Sequence, residues 1–249
     1  MANFKYKKSR NKDDNIIILS FIFLFVTLVL LISGVIGYRL NILNISTSLH
    51  ILTKYGVYCA LFTSLISLIS LGCSFKRQNK FLASLFSILI FLLSSFIVVT
   101  FYGYLNALKS NPLINDISTN YNKIIHFRVA KHPHPNNENI FLQNYGGFKK
   151  PYSKLKSVYI KDSNFNDVFD KSISIFKEMN IFINYQSFDE GIIEGEKESF
   201  WYGFKDDFIV RIEKMISGEI KIDMRSASRS GRSDLGNNYN RILKFISYY

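Results

Sequence analysis

The apolar positions follow two regimes that meet near Leu108. Before it, residues 16–38, 55–75 and 81–104 are three apolar runs without a single Asp, Glu, Lys or Arg. About 20 apolar residues in a helix cross a bilayer core, so each run predicts a membrane-spanning helix. After it, the periods shorten. Phe165, Val168, Phe169, Ile173, Phe176 and Met179 recur at helical spacing and predict a helix over 165–179, capped by Ser163. Strands are predicted at 157–160, 181–186, 192–198, 208–216 and 219–228, with Asp189-Glu190-Gly191 and Ser217-Gly218 as hairpin turns. A last helix is predicted from Leu235 to Tyr248, burying Leu235, Tyr239, Ile242 and Ile246. From Asn111-Pro112 to Lys150 the chain reads as irregular, interrupted by Pro133, Pro135, Gly146 and Gly147.

This order predicts a membrane protein: a three-helix transmembrane bundle followed by an α+β domain, an antiparallel sheet with two helices packed on one face. Residues 1–15 form a basic tail, 16–108 the three helices, and 109–249 the α+β domain. Within the second and third runs, Thr63, Ser67, Ser70 and Ser74, and Ser84, Ser87 and Ser94, recur on single helix faces and predict close helix contacts. Ile42, Ile45, Leu49 and Leu52 predict a short helix lying in the interface between the first two spans.

Charge sets the expected orientation. The net charge of +12 is concentrated before Leu108, because the remainder carries 21 Lys and Arg against 17 Asp and Glu. Five cations precede the first span, and Lys76, Arg77 and Lys80 fill the second loop, so these segments are expected in the cytoplasm. Three crossings of the inner (cytoplasmic) membrane are then expected to place the C-terminal domain outside the cytoplasm, in the periplasm. Tyr38, Tyr55, Tyr58, Tyr102 and Tyr104 would share the outer interface as an aromatic belt. A juxtamembrane excess of this kind speaks for anionic lipid and against nucleic acid. Cys59 and Cys73, fourteen helical residues and roughly 21 Å apart, cannot pair.

The densest chemistry lies between Phe200 and Phe245, where Arg211, Arg225, Arg229, Arg232 and Arg241 alternate with Asp206, Asp207, Asp223 and Asp234. Strand alternation puts Arg211 opposite the apolar face of Phe208, Val210 and Ile212, and Asp223, Arg225 and Arg229 opposite Ile220, Ile222 and Met224. Arg211 and Arg225 are thus expected as cross-strand neighbours. Two readings stay open. The charges form a salt-bridge network locking strand, loop and last helix, or the arginines converge beside the amides of Gly231 to Gly236 as an anion site.

The same residues carry a resemblance. Trp201-Tyr202-Gly203-Phe204, the pair Asp206-Asp207, and Arg225-Ser226-Ala227-Ser228-Arg229 with Gly231, Asp234, Gly236 and Asn237 are similar to the pattern of a bacterial family, the domain of unknown function 1499 family. Arg241 falls where that family has an arginine in its last helix. Asp116-Ile117-Ser118-Thr119 resembles an earlier element, with Asn120 in place of a second aspartate. Tyr152-Ser153 keeps part of another, and a Gly-Trp step is missing at Asn180-Ile181. The resemblance spans about 111–249 and implies fold and context, not an activity.

Other chemistry is thin. His132 and His134 lack a clear third ligand, so no metal is expected, and no cofactor motif occurs. Ser226, Ser228, Ser230 and Ser233 lack a nucleophile elbow and an evident histidine base. The leading expectation is a membrane-anchored cell-envelope protein whose extracytoplasmic domain binds an anionic ligand (a phosphorylated lipid or glycopolymer) or a protein partner. The alternatives are an envelope hydrolase or transferase using Asp206, Asp207 or Asp234, and an accessory subunit of a membrane complex.

Overall fold

The computed structural model describes residues 12–75, 80–130, 155–231 and 233–249. Two compact units result, Met1–Leu105 and Asn106–Tyr249. In the first unit lie α1 (Lys12–Arg39), α2 (Lys54–Ser74) and most of α3 (Lys80–Ser110). The helical stretches Asn15–Arg39, Ser46–Ser74 and Phe81–Ser110 are each long and apolar enough to cross a membrane.

Small residues set the helix contacts. A Cβ at Gly56 of α2 would lie 2.9 Å from Leu31 Cδ2, so α1 approaches there because no side chain intervenes. Along α2 and α3, Ser64 and Ser95 share a hydrogen bond of 3.2 Å, Ser70 and Ser87 one of 2.9 Å, and Ser74 and Ser84 one of 2.6 Å. The expected serine faces therefore meet each other at Ser70, Ser74, Ser84 and Ser87. Thr63 and Ser94 turn their hydroxyls back to their own helices, onto the carbonyls of Cys59 and Ile90. The short helix expected around Ile42 to Leu52 starts later and is not an α-helix. Instead Ser46–Thr53 winds as a π-helix that runs straight into α2, with the Thr53 hydroxyl donating to Ser48 O five residues back.

The second unit holds β1 (Asp116–Ser118), β2 (Val158–Ile160), α4 (Phe165–Glu178), β3 (Phe182–Ser187), β4 (Ile192–Glu198), β5 (Lys205–Lys214), β6 (Ile220–Ser228) and α5 (Asn237–Ile246). The strands form one antiparallel sheet in the order β1-β6-β5-β4-β3, and β2 also pairs with β6. Phe208, Val210, Ile212, Ile222 and Met224 face Val168, Phe176, Ile242 and Phe245 of α4 and α5 in the main core. The opposite face carries Ile192 and Ile209, covered by Ile125 and Phe127 from the segment after β1.

Several boundaries differ from expectation. β1 lies where the chain was read as irregular, because three residues without apolar repetition carry no strand signal. β5 begins at Lys205, so the two aspartates sit within it rather than before it. Asn164 caps α4, its Oδ1 accepting from Asp167 N at 2.8 Å, while the Ser163 hydroxyl donates to Lys161 O. α5 starts two residues later than expected, at Asn237, and its buried stripe is Asn238, Ile242 and Phe245; Leu235 and Ile246 are only half-buried. Both expected hairpin turns form, and Gly191 is indispensable to the first: at φ +63 a Cβ would lie 2.1 Å from Ile212 O. Gly195 answers the bulge between Ile183 and Tyr185, since a Cβ there would stand 2.6 Å from Phe182 O.

Candidate functional site

Strand alternation divides the charges between the two sheet faces. On the face away from the helices stand Glu194 and Glu196 of β4, Asp207 and Arg211 of β5, Asp223 and Arg225 of β6, and Asp116 of β1. Asp206 projects the other way, towards α5. Adjacent aspartates on one strand point apart, as their alternation requires.

Arg225 has no exposed surface, and each side of its guanidinium is occupied. Its Nε donates to Asp116 Oδ1 at 3.0 Å and its Nη2 to Asp116 Oδ2 at 2.7 Å, a bidentate fork. Nη1 donates to Ile125 O at 2.8 Å, and the Phe127 ring lies 4.8 Å away. One side chain thereby ties β1 and the covering segment to the middle of the sheet. Beside it, the buried Glu194 carboxylate accepts from the backbone amides of Arg128 at 2.5 Å and Val129 at 3.2 Å, pinning the far end of that segment.

Arg211 faces Asp223 in the register, and Ile209 faces Arg225, so the two arginines are not cross-strand neighbours. Asp223 receives Arg211 Nη2 at 2.7 Å, Lys221 Nζ at 3.0 Å, Asn120 Nδ2 at 3.2 Å and the Ser157 hydroxyl. Burial alone would raise its carboxyl, but these four donors outweigh burial and hold it below the usual aspartate value. Arg229 clamps Asp207 through Nε at 3.0 Å and Nη2 at 2.6 Å, and also reaches Glu196 at 2.6 Å. These bonds, led by the one to Asp207, raise the guanidinium further above its ordinary range. Glu196 also receives Lys205 at 3.2 Å.

On the helix side Arg241 of α5 reaches Asp206 Oδ2 at 2.5 Å and Ser226 Oγ at 2.7 Å. Asn238 is the hub there: its Oδ1 accepts from Ser226 Oγ at 2.7 Å, and its Nδ2 donates to Ser228 Oγ and Asn115 O, both at 3.0 Å. Asp234 fills the start of α5, accepting from Gly236 N at 2.9 Å and Asn238 N at 2.6 Å. Burial, not compensated by those amides, raises its carboxyl. Its sign is therefore opposite to that of Asp223: stability falls as the pH rises from its unfolded to its folded value.

Arg211, Arg225, Arg229 and Arg241 are thus each engaged by a carboxylate of this chain, and of the amides expected to receive an external anion, that of Gly236 receives Asp234, that of Leu235 the Ser233 hydroxyl and that of Asp234 the Ile114 carbonyl. Arg232, His132, His134 and Tyr152-Ser153 lie outside the described residues. Among the described residues no three His, Cys, Asp or Glu are grouped to hold a metal ion. Glu194, Glu196 and Asn238 are members of the network that sequence reasoning did not single out, and Asp116 entered it only within a resemblance, with no role attached. Asp116 had a signal, the Asp-Ile-Ser-Thr element. Glu194 had one too, as a lone acid in the apolar start of a strand.

The Trp201 motif makes the β4–β5 turn. Gly203, at φ +73, donates its amide to Ser199 O at 3.0 Å, and the Tyr202 and Phe204 rings stack 5.1 Å apart. Phe200 is 92% exposed and Trp201 49%.

An α+β domain with a charge-paired sheet, preceded by helices able to span a membrane, defines the class. Residues 131–248 match the family model described as protein of unknown function (DUF1499). The matched region contains the arginine cluster and the Trp201 turn, while β1 with Asp116 precedes it. No curated protein matches the chain.

Removing one member of a buried ion pair strands the other charge. Arg225→Met should cost about 3–5 kcal/mol, and adding Asp116→Leu should restore much of it. Urea unfolding followed by Trp201 fluorescence reads both; a loss below about 1 kcal/mol would assign the pair the weight of an exposed one. Because Asp223 is depressed, its contribution is complete above about pH 4, the unfolded aspartate value, and is lost as the pH falls through its folded value. Acid unfolding of Asp223→Asn should show a shallower loss than the parent, and an unchanged acid slope would contradict this.

Proposed function

We propose that this chain is a multi-pass protein of the cytoplasmic membrane of a bacterium, with its N-terminus inside. Its α+β domain is displayed in the cell envelope as a non-catalytic module that binds a partner. The observation supporting this reading is the pairing of the charged cluster. An acid or base in catalysis needs a proton to give or take, and Asp206 and Asp207 are each held in a charge-assisted bond to an arginine. Asp234 is committed to two backbone amides. A hydrolase using these aspartates would have to break the bonds that hold the sheet together.

The same pairing weighs on the choice of ligand. A phosphorylated lipid or glycopolymer bound at Arg211, Arg225, Arg229 or Arg241 must share the guanidinium with a carboxylate already in place and overcome its charge. A protein surface, whether a separate partner or the rest of a membrane complex, makes no such demand. A rigid sheet suits it, because little ordering entropy is lost on docking.

Arg229→Ala should lower the melting temperature by the same amount in low and high phosphate, since it leaves Asp207 buried without its cation. Phosphate stabilising the parent but not the variant would instead establish the anion site. Orientation is read separately. With Cys59 and Cys73 replaced by serine, Ser217→Cys in the β5–β6 turn should react with a membrane-impermeant maleimide in cells with a permeabilised outer layer and an intact cytoplasmic membrane. Reaction only after lysis would put the domain in the cytoplasm.

A further inference from the structure

The β4–β5 turn exposes its most apolar side chains at one particular end of the sheet. Asp116, Ala227, Asp207 and Glu196 stand in one register row across β1, β6, β5 and β4. The chain enters β1 at this row, coming from α3. β6 ends here too, with Ser228 N donating to Asn115 O and Arg229 N to Lys205 O. β4 runs two residues beyond Glu196, roughly 7 Å, to Glu198, and Phe200 lies in the turn that follows. The aromatic turn and the entry of the chain therefore share one end.

The connection is short. From Ser110, the last residue of α3, to Asp116 is six steps, at most about 21 Å even if fully extended. It is not extended: Asn111 is hydrogen-bonded back to Ala107, and Ile114 N to Pro112 O. The last residue of α3 therefore lies within this reach of the β1 end, the end that carries the turn. Phe200, Trp201, Tyr202 and Phe204 are four aromatics in five positions, and the first two are exposed. Exposed aromatic rings, tryptophan above all, are the side chains that settle at the headgroup level of a bilayer. The opposite end of the sheet also exposes an apolar residue, Ile216 in the β5–β6 turn. The nine residues of β6 separate that turn from the β1 end by roughly 27 Å.

We propose that the Phe200–Trp201 turn is a membrane-interface anchor, inserting its two exposed rings among the lipid headgroups of the bilayer that holds α3. This rests on the membrane-spanning reading of the helices, and it fixes which end of the domain is left for a partner: the end carrying Phe188, Met215 and Ile216.

Trp201 is the chain's one tryptophan, so its fluorescence is a direct probe. The full chain is reconstituted into phosphatidylcholine–phosphatidylglycerol vesicles, with and without acyl-brominated phosphatidylcholine. Trp201 emission should be blue-shifted and quenched by the brominated lipid, and Phe200→Ser should reduce that quenching. In a Trp201→Phe chain, Ile216→Trp should emit at longer wavelength, yield to aqueous iodide and ignore the brominated lipid. Release of the chain by alkaline carbonate overturns the membrane-spanning reading and this proposal with it. Carbonate-resistant chain whose Trp201 responds to iodide but not to brominated lipid overturns the anchor alone. Trp201 shielded from both quenchers also overturns it and assigns the turn to a protein contact.

Discussion

A guanidinium with no exposed surface must find inside the protein everything water gave it, and around Arg225 that requirement organises the domain. Desolvating the charge costs several kcal/mol, which a single carboxylate at ordinary geometry does not recover. Asp116 supplies a two-pronged acceptor, Ile125 a carbonyl, and Phe127 a ring face. None of the three is near Arg225 in sequence: the bonds to Asp116 span 109 residues. β1 is held at the sheet edge, and the segment after it folds across the charged face, because the buried cation needs both. Glu194 imposes the same condition with the opposite sign, since as a buried anion it draws the Arg128 and Val129 amides onto the sheet.

The apolar core supplies the drive to fold, and the ion pairs choose among the ways of folding. Burial of Phe176, Phe208 and Phe245 between sheet and helices would tolerate modest repacking. A one-residue slip of β6 would not be tolerated. It would turn Arg225 and Asp223 into the helix-side core and bring Met224 to the covering segment. The other pairs repeat the constraint between different elements: Arg211 with Asp223 across β5 and β6, Arg229 from the end of β6 to β5 and β4, and Arg241 from α5 to β5. Each is a check on register that a purely apolar sheet would lack.

What could be read from sequence follows from how local each signal is. Alternation in Phe208–Ile212 and Ile220–Arg225 assigned side chains to the faces they occupy, because period two is a property of the strand alone. The cross-strand partners of Arg211 were not local. They depend on the residues spent in the Met215–Glu219 turn, which sets Arg211 against Asp223. β1 was invisible because Asp116, Ile117 and Ser118 are too short a run to show alternation, and what holds them, the β6 ladder and Arg225, lies over a hundred residues away. Sequence counts arginines at once, whereas the carboxylates that occupy them lie 22 residues away for Asp207 and 35 for Asp206. Arg211, Arg225, Arg229 and Arg241 are the half of each pair that a reading of the sequence sees first.

That pairing also bears on where such a domain can sit. A surface with unmatched guanidinium groups would be held to anionic headgroups over a broad area and in many orientations, since the attraction reaches about a Debye length. Here the arginines of the sheet face their own acids, and that non-directional attraction is largely cancelled within the domain. Orientation is then left to features that act at contact. In the proposed arrangement these are a six-step connection and one aromatic turn, both at the β1 end. Two attachments at one end restrict the tilt of a rigid sheet far more than a flexible tether alone. A sheet so held would present its opposite end at a roughly fixed height, the geometry that the proposed binding role calls for.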